Sequence, residues 1–270
     1  MIKINEKNFP DVNFRNWLLE QDYAKDGVLT EETLSKVKEI DVHICAIHSL
    51  EGIEHFKALT KLNCSINQLS SLNLSHNPEL KELNCSDNPL VYFDVSHNPA
   101  LEKLDCSNIN LMLLADMVEL GKGVFSPIVL DFSHNPALRV LDCSCNIQRS
   151  LDLSHNPELR VLNCSMNELT SLDLSHNPKL VKVDCCWNSL NSLDLSHNPD
   201  LTILDCYDCQ GCEEATDALI ACLPETACGV IYADDCFTKE KIRAAGLKGW
   251  AVQEGPQAVV SARKTLFQEM

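Results

Sequence analysis

The sequence predicts an α/β solenoid, a chain wound into stacked coils, and three observations carry that prediction. The string Ser-His-Asn-Pro occurs six times, with its histidine at 76, 97, 134, 155, 176 and 197. A second column runs through Cys64, Cys85, Cys106, Cys143, Cys164, Cys185 and Cys206. Both columns advance in steps of 21 residues, and both are interrupted once by a single step of 37. Two independent motifs with one period and one interruption define a structural repeat, and a period near 21 is that of stacked supersecondary units.

Residues 159–179 give the unit cleanly as LRVLNCSMNELTSLDLSHNPK. It is two shorter pieces, LxxLxCSxN and LxxLxLSHNP, each with alternate residues apolar as in a short strand and each closed by an asparagine turn. The leucines and the cysteine are therefore expected to point into the coil and the intervening Asp or Asn out of it. This pattern resembles the bacterial leucine-rich-repeat family of surface and secreted proteins, in its short nested-repeat form, over residues 37–211. The resemblance implies a right-handed superhelix with a parallel sheet on its concave face. It also implies that the turn asparagines bond the backbone of neighbouring coils. These are Asn67, Asn88, Asn146, Asn167 and Asn188 after the first half-repeats, and Asn77, Asn98, Asn135, Asn156, Asn177 and Asn198 after the second.

The terminal coils of a solenoid need capping. Residues 1–36 are read as a helical N-terminal cap, EF-hand-like in layout. Its first helix is opened by Pro10, with Phe14, Trp17 and Leu18 on one face, and Thr30 caps the second. A calcium loop aligned on Gly27 would need acids where Ala24 and Thr33 stand, so a structural cap is expected. Residues 37–58 form a degenerate first coil through Val37, Ile40, Val42, Cys45, Ile47 and Leu50. The extra residues of the long step, 112–129, read as a short helix and a loop. Residues 212–252 read as a small α/β C-terminal cap: a helix at 213–223, a strand at 229–233, a helix from Thr238 to Gly246 and a strand at 249–252. Residues 253–270 are read as a tail.

Composition narrows the function. Of 270 residues, 45% are hydrophobic but 6% aromatic, so the core must be aliphatic. A net charge of −17 argues against nucleic acid or an anionic membrane as the partner. No apolar run approaches the 18 or so residues of a spanning helix, so no membrane insertion is expected. The N-terminus shows no signal peptide; as it stands the chain reads as cytoplasmic, and as secreted or cell-surface if a signal was removed.

The 15 cysteines sort largely by packing. Seven lie in the inward column, and Cys45 and Cys209 occupy asparagine positions, so reduced thiols are expected. Cys206, Cys209 and Cys212 form C-x-x-C-x-x-C. A metal-binding or redox protein built on this cluster is the alternative reading, but Cys206 belongs to the core column, and no metal or cofactor is expected. The Ser-His pairs are repeat letters and define no catalytic centre; no enzyme is expected. Protonating a histidine column spaced by about 4.8 Å per coil is expected to weaken folding below about pH 6.

The leading reading is a non-enzymatic protein-binding module, monomeric, using the concave face. The half-repeat ending in Cys-Ser-x-Asn is assigned to that face. Its outward letters, Asn63, Asn84, Asp105, Asp142, Asn163, Asp184 and Asp205, become increasingly acidic and suit a polar or basic partner. The expected partner-binding residues are Val140, Asp142, Val161, Asn163, Asp184, Trp187, Ile203, Asp205 and Tyr207. Trp187 and Tyr207 replace small or polar letters, as interface anchors do.

Overall fold

The computed structural model describes residues 1–109, 128–209, 213–233 and 237–254. One parallel sheet of ten strands organises them, in chain order. It begins with β3 (Glu39–Asp41), β4 (Lys61–Asn63), β5 (Glu82–Asn84) and β6 (Lys103–Asp105). It continues through β7 (Val140–Asp142), β8 (Val161–Asn163), β9 (Lys182–Asp184) and β10 (Ile203–Asp205), and ends with β11 (Gly229–Ala233) and β12 (Trp250–Glu254). The architecture is the leucine-rich-repeat solenoid that the repeat predicts, with the sheet lining its concave side.

From β4 to β10 each repeat supplies a three-residue strand from its Cys-Ser-x-Asn half. The register advances by one whole repeat, so that Leu62 faces Leu83, Leu83 faces Leu104 and Leu141 faces Leu162. Like therefore stacks on like. The inward leucines and the whole cysteine column are buried. Each buried leucine contributes on the order of 2 kcal/mol, and the aliphatic composition suffices because each coil covers the next. β6 pairs directly with β7, Lys103 opposite Val140, so the long step adds chain without breaking the sheet. Of the expected insertion only Ile128, buried, and Val129, exposed, lie among the described residues.

Two asparagine columns close the bends, by different chemistry. After the strands, Asn167 donates Nδ2 to the carbonyls of Cys143 and Cys164, while its Oδ1 accepts from the N–H of Asn146 and Gln148. In the Ser-His-Asn-Pro half, Asn177 donates Nδ2 to the carbonyls of Leu153 and Asn156 at 3.0 and 2.9 Å, and its Oδ1 has no partner. The same pattern recurs at Asn77, Asn98, Asn135, Asn156 and Asn198. An amide is required there because two hydrogens from one short side chain must reach two carbonyls.

The residue before each strand-side turn position is left-handed: Ile66, Asp87, Cys145, Met166 and Trp187 before asparagines, and Ile44, Asn108 and Asp208 before Cys45, Ile109 and Cys209, with φ between 49° and 58°. Asp and Asn tolerate this conformation; β-branched isoleucine does not, and Ile66 is half exposed, so no burial offsets the strain.

At the N-terminus, α1 (Val12–Glu20) is capped by Asp11 rather than opened by Pro10: Oδ1 accepts from Phe14 N at 2.9 Å. The other oxygen accepts from His48 N at 2.8 Å, so one carboxylate caps the helix and ties it to the first coil. α2 (Glu31–Lys36) is capped by Thr30 as expected. β1 (Ile2–Lys3) and β2 (Val28–Leu29) form a small antiparallel pair that the sequence reading did not include. In the calcium-like loop, Asp22 pairs with Lys25 at 2.5 Å on an exposed surface and Ala24 is buried.

At the other end, α3 (Glu213–Cys222) and α4 (Lys239–Leu247) flank β11 and β12, which extend the main sheet: Ile203 faces Val230 and Gly229 faces Trp250. Among the described residues no helix is long and apolar enough to cross a membrane.

Asn177→Asp removes both donors and buries an acid against two carbonyls; urea denaturation should show a loss of at least about 3 kcal/mol. Ile66→Asn, which relieves the left-handed isoleucine, should raise stability by about 1 kcal/mol in the same assay.

Candidate protein-binding face

The sheet face is built from two outward columns, and the structure places them unequally. Val140, Asp142, Val161, Asn163, Asp184 and Asp205 are between 1% and 7% exposed. Trp187, Ile203 and Tyr207 remain partly open. The stripe read as outward is thus largely covered by its own neighbours, because parallel strands about 4.8 Å apart stack short side chains flank to flank. The expected site residues do lie together, on β7 to β10 and the turns that follow.

Each Asp or Asn of the polar column is held by the residue two places on. Asp142 Oδ1 accepts from Ser144 N at 3.0 Å and Ser144 Oγ at 2.6 Å. Asn163 is held likewise by Ser165, and Asp105 by Ser107. The last two coils depart from this rule. Cys186 and Tyr207 stand where serine is expected, so Asp184 and Asp205 keep the backbone contact, at 3.2 Å each, without a serine hydroxyl.

Burial then dominates the electrostatics. It pushes the Asp105 carboxyl up to about 8, with the Asp142 charge adding to it. Asp142 is raised by burial against the bonds from Ser144 and Asn163. Asp205 is raised to about 6 by burial and the Asp184 charge. The opposite edge behaves in reverse. Asp94, Asp131, Asp152 and Asp194 are lowered, first by the backbone N–H of the serine two places on; Asp173 is lowered first by the Ser175 hydroxyl. The six histidines beside them are exposed, each ring Nδ1 within 3.0–3.1 Å of its own serine Oγ.

At the C-terminal end, Trp187 and Tyr207 meet edge to face, with ring centroids 6.5 Å apart and planes at 82°. Trp187 N also donates to Tyr207 O at 2.9 Å. On the same two coils, ligand atoms of Asp184, Cys186 and Asp205 lie within 4.8 Å of one another, a mixed oxygen–sulfur group that the sequence reading missed because it spans two coils. The N-terminal half of the face differs. Lys61 bridges Glu39 at 3.0 Å and Glu82 at 4.0 Å, and Lys103 reaches Glu82 at 3.6 Å, so its charges neutralise each other across strands. Of the C-x-x-C-x-x-C cysteines, Cys206 donates inward to Tyr232 O, Cys209 is buried, and Cys212 lies outside the described residues.

No protein-family model matches the chain. It is 34% identical over 70 residues to Internalin J of Listeria monocytogenes, a match covering 26% of this chain and 8% of that protein. The solved functional domain of that protein, which includes a cysteine ladder, superposes with a TM-score of 0.51 at 26% identity, over 86% of this chain and 56% of that one. Internalin C2 of the same species superposes at 0.66 with 18% identity, over 93% and 96%. The chain thus spans little of its curated relative and about half of that relative's solved domain.

The buried carboxylates oppose the acid sensitivity expected from the histidine column. An acid raised in the folded state holds its proton there but not in the unfolded chain, so stability is fullest below about pH 4 and declines as pH rises towards 8. The lowered edge aspartates act only below about pH 4. Melting temperature should therefore rise by several degrees from pH 8 to pH 5. Asp105→Asn, the letter already used at Asn63 and Asn84, should raise it at pH 8 and flatten the dependence.

Proposed function

We infer that the chain is a non-enzymatic protein-binding module of the bacterial surface type, and that it binds through the C-terminal half of its concave sheet. The carrying observation is the Trp187–Tyr207 edge-to-face pair on the coils that carry Asp184 and Asp205, with Tyr207 N donating to Asp205 Oδ1 at 3.2 Å. An aromatic edge next to poorly solvated acids is a receptor for a cationic side chain with an apolar stem, above all arginine, which stacks on rings and forks onto carboxylates. The partly open Ile203 and exposed Met166 extend the apolar rim. The self-paired charges around Glu82 leave the N-terminal half less suited to the same task. The relatives' place among Listeria internalins supports a surface interaction role for this fold.

Selection of displayed peptides on the full chain should enrich segments with arginine beside aliphatic or aromatic residues. Enrichment of acidic or unbiased segments would remove this reading. Trp187→Ala with Tyr207→Ala should weaken the selected peptides at least tenfold with unchanged circular dichroism, and affinity should fall as salt rises.

A further inference from the structure

We propose that Cys185 and Cys209 are an oxidation site, joined as a disulfide when the protein meets hydrogen peroxide. Elsewhere the core column is inert packing: Cys85 and Cys106 each donate to the carbonyl of the next coil at 3.5 Å, and Cys143 does so at 3.6 Å. In the last coil the turn asparagine is replaced. Asn188, one coil earlier, donates its amide to the carbonyls of Cys164 and Cys185. Cys209 at the corresponding place has no amide, and its sulfur lies 4.0 Å from Cys185 Sγ, 24 residues away. Both residues are fully buried, so the contact is internal to the last two coils. A closure of about 2 Å by side-chain rotation brings the pair to S–S bonding distance.

The chemistry balances without any charged product in the core. Peroxide converts the Cys209 thiol to a sulfenic acid and leaves as one water. The Cys185 sulfur then attacks that sulfur and expels a second water, so two thiols are oxidised and one peroxide is reduced. Hydrogen bonding with Cys185 and Cys206, together with burial, pushes the Cys209 thiol up, so the reaction is slow compared with that of exposed Cys228. The product replaces the missing amide rung by a covalent one. It also locks the turn after β10 to the end of β9, on the inner side of the strands that carry Asp184 and Asp205. The inference rests on the sulfur contact and not on the binding reading.

The test is hydrogen peroxide on the full chain, followed by peptide mapping and thermal denaturation with and without reductant. The expected result is a Cys185–Cys209 linked peptide, formed after Cys228 has reacted, with a melting temperature about 5 °C higher that dithiothreitol reverses. Cys209→Asn restores the ladder letter, so it should fold, form no linkage and show no peroxide-dependent rise. Absence of the linkage after Cys228 is fully oxidised, a Cys206–Cys209 linkage in its place, or an undiminished rise in Cys209→Asn would overturn the proposal.

Discussion

Every coil of this protein must hand its unpaired backbone groups to the next one. Strand pairing does this along the sheet, but at each bend the chain turns away from its neighbours and leaves carbonyls facing into the stack. One asparagine per bend resolves the problem, because its amide carries two hydrogens on a side chain short enough to stay under the turn. The repeat of leucines fills the interior, yet it is the amide rung that sets the spacing at which those leucines meet. Where the rung needs an acceptor as well, after the strands, the side-chain oxygen is used. Where it does not, in the Ser-His-Asn-Pro half, that oxygen is left without a partner.

A column of identical short acids thus acquires two characters within one chain. On the outer edge, Asp94, Asp131, Asp152 and Asp194 are lowered because serine N–H groups donate to them in the open. On the sheet face, Asp105, Asp142 and Asp205 receive similar backbone bonds, but burial outweighs them and raises all three. The difference is chiefly solvent access, with neighbouring acid charges adding to it on the sheet face.

Much of this was readable from spacing. The alternation in Leu-x-Cys placed the strands, the inward cysteines and the sheet-bearing half of the repeat, and Thr30 and Thr238 marked helix starts that the structure keeps. What spacing could not supply was distance between coils. Alternation says that Asp142 points away from the core; it does not say that Asn163, one coil on, lies against it with Nδ2 at 2.8 Å. The same blindness hid the Cys185–Cys209 contact and the joining of β11 and β12 to the main sheet, since each depends on residues more than 20 positions apart. The left-handed turn residues were missed for another reason. Isoleucine, methionine and tryptophan occupy a position whose conformation their chemistry argues against, and only the flanking repeat forces it.

The single long step carries a separate lesson. Ile109 takes the place of the turn asparagine on the coil from which the extra residues depart, and its N–H is accepted by Asn146 from the following coil at 3.1 Å. Strands on both sides pair as though nothing intervened. The stack therefore has a seam at which one repeat takes extra chain without interrupting the sheet.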